Sequence, residues 1–203
     1  LTYGTPETTA AAINDDAFVI NSFSKYFSMT GWRLGWLVMP EDLRESLTRI
    51  GQNVTISAPT LSQLGAIAAF DCHDECEANV ARYAANRTVV LDGLRAAGFD
   101  DLAPADGAFY VWAGIGHLIE SGRTTDSQVL CATWLDELGL ASTPRVDFDP
   151  TRGHRFVRFS FAGYAAGAPM AIEWSASDTR TAVALARQSG EHVRLSAEAA
   201  SRA

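Results

Sequence analysis

Apolar residues along the 203-residue chain fall into two kinds of pattern, short continuous runs and longer stretches spaced by three and four. Residues 17–23 (AFVINSF) and 33–39 (RLGWLVM) are runs of strand length, the second stopped by Pro40. Between them lies KYFSMTGW, a loop containing Gly31. Residues 1–16, with Gly4 and Pro6, read as loop. The spacing of Leu43, Leu47 and Ile50 predicts a helix over 41–50. Residues 53–60 are β-branched and polar, and Pro59 and Thr60 then open an Ala-rich helix over 61 to about 71. A longer helix over 75–97 carries Val80, Tyr83, Ala84, Arg87, Leu91 and Leu94 along one side and ends at Gly98. Two further strands are expected over 109–115 and 155–162, with a helix over 127–138 closed by Gly139. The last forty residues are rich in Ala and Ser and hold only a weak helical pattern near 178–187.

Composition narrows the class of molecule. Hydrophobic residues make up 47% and charged residues 20%, ordinary for a soluble globular protein. A net charge of −8 argues against nucleic-acid or anionic-membrane surfaces, which need clustered cations. No run is long and apolar enough to span a bilayer, and the start lacks a basic-then-apolar leader. Three cysteines, an odd number in a long chain, argue against a disulfide framework, so a cytoplasmic setting is expected.

One number is sharper. The chain has fifteen arginines and a single lysine, Lys25. Arginine substitutes for lysine at most surface positions, but it cannot lose its proton and condense with a carbonyl. Lys25 is therefore a candidate for chemistry that needs a free amine.

Its neighbours strengthen the case. In NSFSKYFSMTGWRLG (residues 21–35), an apolar strand read as buried ends in small hydroxylated residues just before Lys25. That places the amine at a strand's C-terminal edge, where open α/β sheets bind ligands. Ser22 and Ser24 can donate to a phosphate, and Arg33 returns eight residues later with a fork suited to the same group. Gly31 permits the turn between them.

This segment resembles the pyridoxal 5′-phosphate (PLP) attachment signature of the class I/II aminotransferases, members of the fold-type I PLP enzymes. The resemblance extends over residues 1–163, through Ile56-Ser-Ala-Pro-Thr with Gln63, Ala105-Asp-Gly-Ala-Phe-Tyr-Val-Trp, and Arg155-Phe-Val-Arg-Phe-Ser-Phe-Ala. It implies an α/β fold: the C-terminal part of the PLP-binding large domain (mixed sheet with helices) over residues 1–75, then a linking helix and small α+β domain over 76–203. By position, Lys25 matches the lysine that binds PLP covalently, Ser22 a phosphate-binding serine, and Arg33 the phosphate-binding arginine. Ser24 reaches the phosphate or stands behind it. Arg158 matches the arginine that grips the substrate α-carboxylate. Arg155 competes for that role, but its odd spacing from Arg158 puts it on the other strand face. Arg145 stands where many relatives have glycine.

The implied function is amino-group transfer from an amino acid to a 2-oxo acid, by a homodimer. The family's other cofactor contacts lie upstream of its lysine and have no counterpart here, so the chain alone is expected to be a weak or inactive catalyst. A PLP-dependent β-lyase and a non-catalytic aminotransferase-like domain are the competing functions. Cys72, His73 and Cys76 hint at a metal site, but structural sites want four ligands and no second cluster follows, so no metal is expected. His117 and His154 read as isolated loop residues, and the tryptophans as core.

Overall fold

The computed structural model describes residues 1–163, 171–174 and 182–185. The chain divides into two compact units, Leu1–Ala81 and Arg82–Ala203.

In the first unit, β1 (Val19–Ser22) and β2 (Gly35–Val38) form an antiparallel hairpin, Val19 opposite Val38 and Ser22 opposite Gly35. Gly35 is required here, because a Cβ would collide with the carbonyl oxygen of Asn21 on the facing strand. A 3-10 turn at Glu41–Leu43 leads into α1 (Arg44–Val54), and α2 (Thr60–Ala69) follows. The buried centre is small: Phe23, Ala66 and Ala69, packed by Phe27, Met29 and Leu34. Phe23 meets Phe27, Trp36 and Phe70 at ring-centroid distances of 4.9, 5.0 and 5.5 Å. The Trp32 ring lies so close to Gly65 of α2 that a side chain there would strike it.

The structure corrects one expectation. β1 is not a buried strand: Ile20 is 85% exposed, and Val38 and Trp36 on β2 are also exposed. An apolar run is buried only if something covers both faces. This sheet has two strands, and its inward contact is made by Phe23, one residue past the end of β1.

Helix α3 (His73–Ala96) carries Leu91 and Leu94 into the second unit's core and ends at Gly98, which adopts a left-handed φ of 87°. The sheet there is antiparallel in the order β3 (Tyr110–Gly114), β5 (Phe156–Ser160), β4 (Thr143–Pro144). Alternation along these strands separates two faces. Val111, Ala113 and Val157 are fully buried among Leu94, Ile115, Leu118, Leu130 and Trp134. The other face carries Trp112, Phe156 and Arg158, all half-buried.

Two short helices complete this unit. The first is α4 (Gly116–Glu120), which was not expected from sequence. The second is α5 (Ser127–Leu138), whose N-cap Asp126 accepts from the Gln128 and Val129 amides at 2.8 and 3.0 Å. Those bonds hold the Asp126 carboxyl below its usual range, the Val129 amide contributing most. Asn86 on α3 donates to the carbonyls of Phe161 and Gly163 and so fixes the chain leaving β5.

Beyond this, β6 (Ala171–Trp174) pairs antiparallel with β7 (Ala182–Leu185). The weak helical pattern over 178–187 is therefore corrected within 182–185, where a ladder outweighs the mild preference of alanine for helix. The remaining residues of that stretch lie outside those described. Among the described residues, no helix is long and apolar enough to cross a membrane.

Candidate functional site

Four of the candidate residues sit on the β1–β2 hairpin. Ser22 is the last residue of β1, and Ser24, Lys25 and Arg33 lie in the connection to β2. Lys25, Ser22 and Arg33 are exposed and Ser24 is half-buried. Hydrogen bonds shape the connection. The Ser24 amide donates to Ser22 Oγ (3.1 Å), and Thr30 Oγ1 donates to the Ser24 carbonyl (2.7 Å). Met29 N–H donates to the Phe23 carbonyl and Phe23 N–H to that of Leu34, at 3.0 and 3.1 Å.

Two non-glycine residues of this loop take left-handed backbone angles, Ser28 (φ 54°) and Arg33 (φ 51°). Such conformations are unfavourable for L side chains and persist only where the surroundings enforce them. At Arg33 the result is a turn that sets Nη1 on the Thr30 carbonyl at 3.1 Å. Thr30 thus bridges Ser24 and Arg33. The sequence offered no sign of this, since a threonine in a loop is unremarkable until its partners are known.

Tyr26 anchors the other side of Lys25. Its hydroxyl donates to Glu77 Oε1 (2.7 Å) and also bonds His73 Nδ1 (2.9 Å), both on α3. Burial, reinforced by the Glu77 carboxylate, pushes the Tyr26 phenol up to about 12. His73, considered with Cys72 and Cys76 as a metal ligand, is thus engaged with Tyr26. Among the described residues no three His, Cys, Asp or Glu side chains converge as a ligand set. Burial raises the Cys76 and Cys131 thiols, which suits unreactive packing residues.

Arg158 lies in the second unit, on β5 opposite Trp112 and Thr143. Its guanidinium carbon is 4.2 Å from the Tyr110 ring centroid, 5.1 Å from Phe148 and 5.7 Å from Trp112. Stacking of this kind holds the planar fork in place; Nη2 donates to Thr143 Oγ1 at 3.5 Å, and the other edge N–H groups are left for an acceptor. Trp112, expected in the core, instead serves this face, whereas Trp134 is core. Arg155 is in the 3-10 turn before β5, not in the strand, and its Nη2 pairs with Glu120 at 2.8 Å. His117 is on α4 rather than in a loop, edge-on to Phe99, and its burial lowers its affinity for a proton.

The donors on the hairpin fit a phosphorylated aldehyde. Ser22 Oγ already accepts from the Ser24 amide, so its own proton is free to be given. Arg33 is exposed, and among the described residues no carboxylate is paired with it. Hydroxyl and guanidinium suit a phosphate ester, and the adjacent amine suits the aldehyde.

The chain resembles known proteins over most of its length. Residues 2–169 match the family model "Aminotransferase class I and II". The chain is 48% identical over 163 residues to the valine–pyruvate aminotransferase of Mycobacterium tuberculosis, covering 79% of this chain and 41% of that protein. It is 30% identical over 148 residues to an aspartate aminotransferase of Sulfurisphaera tokodaii, covering 73% and 37%. A crystal structure of an aminotransferase from M. tuberculosis superimposes with a TM-score of 0.74 at 48% identity, covering 80% of this chain and 42% of that one.

The fold is the α/β fold of the aminotransferases. The chain belongs to the class I and II aminotransferases. It spans about two fifths of the length of the relatives it matches.

Proposed function

We propose that this chain carries the cofactor-binding lysine and the substrate-carboxylate arginine of a PLP-dependent aminotransferase that moves an amino group from an amino acid to a 2-oxo acid. Residues 1–75 are the C-terminal portion of the cofactor-binding domain, and 76–203 the linking helix and small domain. The working enzyme is a cytoplasmic homodimer. The observation that carries this reading is the chain's one lysine at the hairpin, beside Ser22, Ser24 and Arg33.

Bound PLP supplies an electron-withdrawing ring that makes the substrate's Cα–H bond acidic. The chain's residues do the rest. Lys25 Nζ would hold the cofactor covalently and, as a free amine, would serve as the base that takes the substrate's Cα proton and as the acid that gives one back. Ser22 Oγ and Arg33 bind the phosphate. Ser24, tied to Ser22 and Thr30, either adds a hydroxyl to the phosphate or holds Ser22 in position. Arg158 grips the α-carboxylate through its fork, which fixes the direction of the Cα–H bond.

Replacing Lys25 with alanine tests this. Lys25→Ala should abolish the visible absorbance of lysine-bound PLP, borohydride labelling of residue 25, and all keto-acid-dependent turnover. Retained turnover in that variant would overturn the assignment. The absorbance and labelling readouts hold even where turnover of the chain alone is low.

A further inference from the structure

Among the described residues, the second unit presents two cations, not one, on the sheet face that holds Arg158. β4 pairs Thr143 with Arg158 and Pro144 with Val157, and the Arg145 amide then donates to the Phe156 carbonyl at 3.2 Å. Arg145 therefore continues β4 by one residue, and alternation puts it on the face of Thr143, Phe156 and Arg158. Its guanidinium carbon stands 5.1 Å from the Trp112 ring centroid and 5.2 Å from that of Phe156. Trp112 is thus shared, with Arg158 at 5.7 Å from the same ring. Gly153 permits this course of the chain, because a Cβ there would strike the backbone of Arg145 and Val146.

The charges around Arg145 do not balance. Among the described residues, its carboxylate neighbour is Asp149, at 3.8 Å. Asp149 is already held by Arg152 Nε at 2.9 Å and by the Thr151 and Arg152 amides. One carboxylate therefore serves two guanidinium groups, and Arg158 nearby adds a third cation. Arg145 Nε is buried and, among the described residues, has no hydrogen-bond partner. A buried donor without an acceptor is costly, and two stacked cations sharing one ring repel. An anion bridging their outer Nη groups would offset that repulsion.

We propose that Arg145 determines specificity by binding a second substrate carboxylate, so that the site takes dicarboxylic amino and oxo acids. This rests on the assignment of the α-carboxylate to Arg158. The probes are succinate, with two carboxylates, and butyrate, of equal carbon count with one.

Calorimetric titration of the PLP-loaded chain should find succinate bound about tenfold or more tighter than butyrate, the scale of one charge-assisted hydrogen bond. Arg145→Met should bring succinate down to the level of butyrate, and Arg145→Lys should restore part of the difference. Equal binding of the two acids by the unaltered chain, failure of succinate to bind, or a succinate preference that survives Arg145→Met would overturn the proposal. Should Arg145→Met fail to fold, Arg145→Lys and the unaltered chain still decide it. Labelling of Lys25 with PLP reports on the aminotransferase assignment separately, so the absence of a succinate preference in the unaltered chain, with labelling intact, counts against Arg145 alone.

Discussion

The two units of this chain treat their apolar side chains in opposite ways. In the second, Leu94, Val111, Ile115, Leu118 and Val157 are almost wholly hidden, and Phe99, Trp134 and Phe159 pack edge-on or tilted within 6.4 Å of one another. In the first, the hidden centre is Phe23 with two alanines, while Ile13, Ile20, Val54, Ile56, Leu61, Leu64 and Ile67 each remain more than 60% exposed. Scattered exposed leucines are normal, but so many on α2 and the hairpin are not. The second unit closes its own core. The first has apolar surface that its own residues do not cover, and the lysine hairpin belongs to it.

A matched pair of truncations bears on this contrast most strongly. Leu94→Ala, at a position 1% exposed, should cost about 2–5 kcal/mol in denaturant unfolding. Ile20→Ala, at 85% exposed, should stay within about 0.5 kcal/mol. Equal costs would erase the distinction. Amide exchange offers a second test, in which β3 and β5 should exchange far more slowly than β1 and β2. Faster or equal exchange in β3 and β5 would reverse it.

A smaller effect is expected at the cap of α5. Asp126→Ala should lose about 1 kcal/mol. Because the folded state depresses this carboxyl, its contribution is present above the ordinary Asp range and fades as pH falls through the folded value. A stability difference between the unaltered chain and the Asp126→Ala variant that stays flat across acid pH would contradict the capping role.

The smallest effect concerns the hairpin's tie to α3. Tyr26 should ionise near pH 12 in an ultraviolet titration, against an ordinary 10. Its folded value is raised, so the contribution is whole below pH 10 and is lost as pH climbs towards 12. A Tyr26 midpoint at the ordinary value would mean that the Glu77 bond does not persist in solution.

Much of the second unit could be read from sequence because its signals are local. Gly139 and Gly98 end their helices with left-handed backbone, and α5 runs over the expected residues 127–138. Other elements depend on partners far away in sequence. β4 is two residues long and exists only by pairing with β5, and α4 is a single short turn after a strand. The exposure of β1 has a related cause: an apolar run states what a strand prefers, not what covers it. At the candidate site, the residue types around Lys25 were legible because their chemistry is unusual. The contacts of Thr30, Tyr26 and Arg145 were not, since each depends on where a distant or turned segment comes to rest.

The solitary lysine also has a practical consequence. Among side chains, amine-directed acylation can modify this sequence only at the exposed Lys25 of the hairpin, and a lysine-specific protease can cut it only there. Anything that occupies the Lys25 amine should block both reactions together. Covalent occupancy of that residue can therefore be followed by fragment mass alone, without a chromophore and without turnover.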